Sequence, residues 1–171
     1  MILKRLLTWL DDSDVSPAEN DRVRRLVAEH LTDADSASLE LVSAMTGLLA
    51  AVAYADREYT REEQEYVEHA LRQIHGLDPH GVAAICAALR EHIIEIAHSS
   101  SQAHTRAIRQ HADRELRLEI LDLLVDVAAA DGTISMEETH WLRRATDAMG
   151  LTQDDYVASQ TRHRERLSLL K

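Results

Sequence analysis

Two stretches of this chain, 75 residues apart, are written to the same plan. Val52 to Val67 reads VAYADREYTREEQEYV, and Val127 to Leu142 reads VAAADGTISMEETHWL. Ala55-Asp56 aligns with Ala130-Asp131, Thr60 with Ser135, and Glu62-Glu63 with Glu137-Glu138. Upstream, Leu48 falls on Leu123 and Val52 on Val127. In each stretch an apolar run ends in an acidic turn, and a hydroxyl residue then opens a new helical run. Recurrence at one period points to a duplicated helix-turn-helix unit, which leaves little room for any fold but a helical one.

Much of this pattern is helix chemistry. Thr60-Arg61-Glu62-Glu63 and Ser135-Met136-Glu137-Glu138 both read as capping boxes. The hydroxyl accepts from an exposed backbone N–H, and Glu63 or Glu138 reaches back to the cap. Gly132 suits the left-handed conformation that ends a helix. Arg57 stands in its place in the first stretch, so that copy turns differently or under strain. Tyr59 and Ile134 are expected to plug the turns into the core.

Asp56 and Asp131 need a further account, because an acid at a helix C-terminus faces the negative end of the dipole. Two readings stay open. N–H groups of the next helix, a few residues on, can satisfy the carboxylate. Alternatively, Asp56 and Asp131, with Glu63 or Glu138 and turn carbonyls, offer hard oxygen ligands to a divalent cation: calcium, magnesium, manganese or zinc. An EF-hand is excluded. With Asp131 as fifth loop residue, Glu138 falls at the twelfth, but the first and third positions become Val127 and Ala129; Val52 and Tyr54 fail in the first stretch. A di-iron bundle fits poorly. Of the two Glu-x-x-His motifs, Glu95 lies off its helix's apolar face and Glu137 lies in a first turn.

The rest of the chain reads as helices bounded by caps. Ser16-Pro17-Ala18-Glu19 opens a helix running to about Leu31. Leu41, Met45, Leu48, Leu49 and Val52 are spaced for one buried face from about Ser36. The helix capped by Thr60 carries Tyr66, Val67, Leu71 and Ile74 and stops at Gly76. Asp78-Pro79 starts another, with Val82, Ile85, Leu89, Ile93 and Ile96 inward. A polar helix over Gln102 to Ala112 has Ile108 as its only large apolar residue. Leu116, Ile120, Leu123, Leu124 and Val127 form the next face, Trp141, Leu142 and Ala145 the one after it, and Thr152 to Asp155 caps a last helix. No segment alternates as a strand would. The fold class is all-α, seven or eight helices in one bundle-like body. Residues 1–35 hold an amphipathic segment and a capped helix packing on that body. Residues 36–171 hold the duplicated unit, divided as 36–100 and 101–171.

Composition narrows function by exclusion. A net charge of −11 repels nucleic-acid phosphates, so no nucleic-acid partner is expected. The one cysteine, Cys86, lies among Val82, Ile85 and Leu89 at helical spacing and reads as a buried thiol; an internal disulfide or thiolate zinc cluster is ruled out. The ten histidines lie mostly among polar residues and read as titrating surface imidazoles. No phosphate loop, nucleophile elbow or other catalytic motif occurs, so an enzyme is not expected. No apolar run is read as reaching the roughly 18 residues that span a bilayer. No signal peptide is read, and the cytoplasm follows as the expected location. Ile2, Leu3, Leu6, Leu7 and Leu10, with Trp9, Lys4 and Arg5, form an amphipathic start suited either to a membrane surface or to packing on protein. Asp11, Asp12 and Asp14 oppose the first.

The segment AADGTISMEETHWLRRATDAMGL, Ala129 to Leu151, resembles the TerB-like family. The shared features are an Ala-Asp-Gly turn, a hydrophobe two residues on, a Glu seven after the Asp, and a helix ending in Gly-Leu. The likeness extends over roughly Leu39 to Tyr156. The resemblance implies an all-helical fold and acidic residues near the turns that take metal cations. By position these are Asp131 and Glu138, and, where Arg57 and Tyr59 depart from the pattern, Asp56 and Glu63. It implies a non-enzymatic protein of tellurite resistance or of metal or envelope stress. The His-Pro-Asp signature of the family's co-chaperone branch is absent, so chaperone stimulation is not implied. The other class is a helical module that docks a protein partner without metal. Oligomeric state is open.

Overall fold

The computed structural model describes residues 20–31, 34–98 and 101–169. The amphipathic start and the expected cap at Ser16 lie outside these. Eight helices follow one another: α1 (Asn20–His30), α2 (Ser36–Ala53), α3 (Arg61–Arg72), α4 (Pro79–His98), α5 (Ser101–His111), α6 (Arg114–Ala128), α7 (Met136–Ala148) and α8 (Gln153–Leu169). Among the described residues there is no strand.

Most boundaries are set by side chains that satisfy helix-end N–H groups. Asp35 accepts from Ser38 N at 2.7 Å, Asp78 from Gly81 N at 2.6 Å and Asp113 from Leu116 N at 2.9 Å. Thr152 and Asp155 close a reciprocal pair before α8. At the other end of α7, Gly150 holds φ 72° and Arg117 donates to Met149 O at 2.6 Å, placing a cation on the exposed carbonyls.

α2 is the axis of the body. The spacing of Leu41, Met45, Leu48, Leu49 and Val52 predicts one buried face, but Val42, Ser43, Ala44, Thr46, Gly47, Ala50 and Ala51 are buried too. α1, α4, α5 and α6 pack around it. A helix apolar all round is a helix buried all round. It also corrects the expectation about bilayer-length segments: α2 has 18 residues and mean hydropathy 1.5, long and apolar enough to cross a membrane. Here most of it is covered by other helices.

α5 lies against α2 by close approach. A methyl at position 47 would overlap the His104 ring. His104 is 3 % exposed, and burial lowers its pKa to about 4, so it is a neutral core group. His163, bonded through Nδ1 to Asp126 Oδ1 at 2.6 Å, is buried as well. Surface imidazoles are therefore the wrong reading for these two, because polar sequence neighbours on a helix do not share its inward face. α8 is held to α6 by polar groups: Asp122 accepts from Ser159 Oγ at 2.5 Å and from Arg162 Nε and Nη2 at 2.9 and 2.7 Å.

Candidate functional site at the paired acidic turns

The turns α2–α3 and α6–α7 share the same backbone hydrogen bonds. Tyr54 N donates to Ala50 O at 3.1 Å and Ala129 N to Val125 O at 3.0 Å. Arg57 N donates to Tyr54 O at 3.1 Å and Gly132 N to Ala129 O at 3.0 Å. Thr60 and Ser135 then take nearly the same extended conformation, at φ −68° ψ 163° and φ −64° ψ 168°. Arg57 makes the turn Gly132 makes, at φ 72° against 97°, so the first copy turns alike and under strain. Tyr59 and Ile134 are half-buried against the core, as their turn positions predict.

Both capping boxes are formed. Glu63 N donates to Thr60 Oγ1 at 3.2 Å, and Glu63 Oε2 accepts from Thr60 N at 2.7 Å. Glu138 N donates to Ser135 Oγ at 3.1 Å, and Glu138 Oε2 accepts from Ser135 N at 2.7 Å. Asp56 Oδ1 accepts from Glu58 N, and Asp131 Oδ1 from Thr133 N, each at 2.9 Å. The aspartates are thus satisfied by an N–H two residues on, inside the turn and ahead of the next helix, while both side chains remain exposed.

The two glutamates are another matter. Glu63 is 5 % exposed and Glu138 4 %, far beyond what a surface cap requires. Burial pushes the Glu63 carboxyl up to about 7; Thr60 pulls it back, and the charges of Glu138 and Asp56 add to the rise. Glu138 is likewise raised by burial, opposed by its bonds to Ser135 and reinforced by Asp56 and Asp131. Asp56 acts on Glu138, and Glu138 on Glu63, so the two turns share one electrostatic environment. None of the four acids forms an ion pair with a described residue.

The sequence-predicted residues are therefore brought near one another, but not into one coordination sphere. No three described His, Cys, Asp or Glu side chains are placed to hold a metal ion. Next to the turns, Glu62, Glu65, Tyr66 and His69 of α3 and Ala130 of the second turn line an open groove of about 350 Å³. That groove escaped the sequence reading because it joins residues more than 60 positions apart, although Glu62, Glu65, Tyr66 and His69 do fall on one helical face. Cys86 is buried, its thiol pushed up to about 11 by burial, which makes it a poor nucleophile.

This arrangement, two capped helices each entered through an Ala-Asp turn, is what the TerB-like resemblance implies. The family described as tellurite resistance protein TerB matches residues 42–161. The chain belongs to the TerB family. The match runs from the second turn of α2 into α8, so it contains both acidic turns, while α1 lies before it. No curated protein and no solved structure matches the chain. Within this TerB-family body, Glu63 and Glu138 are the buried acids of the two turns.

Proposed function

We propose that this TerB-family protein is a non-enzymatic, cytoplasmic cation-binding protein of tellurite resistance or a related metal stress. The paired acidic turns are its site. The observation that carries this reading is the burial of Glu63 and Glu138 within reach of each other's charge, with Asp56 and Asp131 beside them and no described cation paired to any of the four. Oε2 of each glutamate is taken by the cap, while Oε1 receives no hydrogen bond from a described residue. A divalent cation such as magnesium is held by one or two carboxylates and keeps several of its waters. It would therefore draw on Glu63 and Glu138 without needing a preformed cage of three side chains, and would relieve the repulsion between them.

The test is thermal unfolding of chelator-stripped protein with calcium, magnesium, manganese and zinc titrated separately. A ligand bound only by the folded state adds RT ln(1 + [L]/Kd), about 2.7 kcal/mol at a hundredfold excess over Kd. A saturable rise for one ion, abolished in the double variant E63Q/E138Q, is the expected result. Gln retains the cap's acceptor, so the helices should survive in that variant. An unchanged melting temperature with every ion at millimolar concentration would rule out the cation site.

A further inference from the structure

The groove beside the turns carries an inference that does not depend on the cation. We infer that it is a docking site for a basic segment of a partner protein, an arginine or lysine flanked by apolar residues. Glu62, Glu65, Tyr66 and His69 stand at i, i+3, i+4 and i+7 on α3, so they form one continuous face opposite the buried face of Val67, Ala70 and Leu71. Across from them, Ala130 presents only a methyl, which leaves the concavity open between α3 and the second turn.

The chemistry of the lining selects the occupant. Tyr66, half-buried with its ring against the core, supplies an apolar floor with an aromatic surface. Glu62 is exposed and forms no ion pair with a described residue. Glu65 shares only Arg61, at 3.0 Å, with both side chains largely in water. Such an exposed pair is weak and yields to a competitor. Exposed Asp131 and Glu137 extend the negative field beyond the groove. A guanidinium or ammonium entering here meets a π face and two carboxylates, and flanking apolar side chains meet Tyr66 and Ala130. An acidic or phosphate-bearing ligand is repelled.

The experiment maps backbone amide shifts of the ¹⁵N-labelled full chain in excess chelator, so that failure of the cation reading does not affect it. The probe is a synthetic twelve-residue peptide of leucine, alanine and arginine, with a matched peptide carrying glutamate in place of arginine. Saturable shifts confined to residues 62–69 and 130–132, absent with the acidic peptide, are expected. In E62K/E65K the affinity should fall at least about tenfold, while E63Q/E138Q should bind as the parent does. No shifts at millimolar peptide, shifts spread over other acidic surfaces, or unchanged binding by E62K/E65K would each overturn the assignment. So would displacement of the same groove resonances by K4E/R5E without any peptide, because the chain's own start would then be the occupant.

Discussion

Arg57 and Gly132 are a matched experiment within one molecule. Both hold the left-handed backbone of the same turn, at φ 72° and 97°. A side chain in that region costs roughly 1–2 kcal/mol relative to the right-handed one, a penalty Gly132 avoids and Arg57 bears. At Gly132 an added Cβ would meet nothing within 4 Å, so packing adds nothing to the comparison. Replacing Gly132 by Ala should lower stability by about 1 kcal/mol through the backbone alone. Arg57→Gly should raise it by about 0.5–1 kcal/mol, the relief being partly offset by the entropy of an unfolded glycine. Urea midpoints of the two variants check both signs. Equal midpoints for parent and Gly132→Ala would show that the turn relaxes to another conformation at no cost.

The helices divide into those whose placement could be read along the chain and those whose placement could not. α3, α4, α7 and α8 begin where Thr60, Asp78, Ser135 and Thr152 stand, because a cap is a local contract between a side chain and an N–H two or three residues on. The approach of α5 to α2 depends on Gly47 and His104, 57 positions apart, and neither residue signals it alone. The α6–α8 seam is equally non-local: Asp122 on α6 gathers Ser159 and Arg162, and Asp126 takes His163. It holds α8 through polar pairs that must all be satisfied. Asp122→Ala strands the fully buried Ser159 hydroxyl, while the partly exposed Arg162 guanidinium turns to water, and should cost about 1–3 kcal/mol. Hydrogen exchange should show the loss concentrated in α8 while α2 and α5 keep their protection. Uniform loss across all helices would mean that α8 has no independent opening.

At the level of the whole molecule, the acidic turns show where local reading stops. Their caps, the left-handed position and the inward Tyr59 and Ile134 follow from residue types at short spacing. The mutual influence of Glu63, Glu138 and Asp56 arises only when α3 and α7 are brought together around α2 and α6. Burial then gives the fold two opposed pH responses. Glu63 titrates near 7 in the folded protein, above its ordinary value of 4.5, so the folded state holds the extra proton between those limits. Its contribution to stability is complete below about 4.5 and is lost as pH rises through 7. Glu138 is shifted in the same direction. His104 does the reverse: held near 4 against an ordinary 6.5, it contributes fully above 6.5 and loses that contribution as pH falls through 4. Between pH 4.5 and 6.5 the two responses oppose each other, so the parent's curve understates both. Glu63→Gln removes the Glu63 part of the carboxyl response and leaves that of Glu138. Relative to the parent, this variant should gain stability from pH 5 to pH 8 by on the order of 2 kcal/mol. Urea unfolding of both proteins at pH 5 and pH 8 decides it. Parallel pH profiles would show that Glu63 stays ionised in the fold, and a carboxylate that ionises freely at neutral pH without a cation would remove the electrostatic reason for placing one beside it.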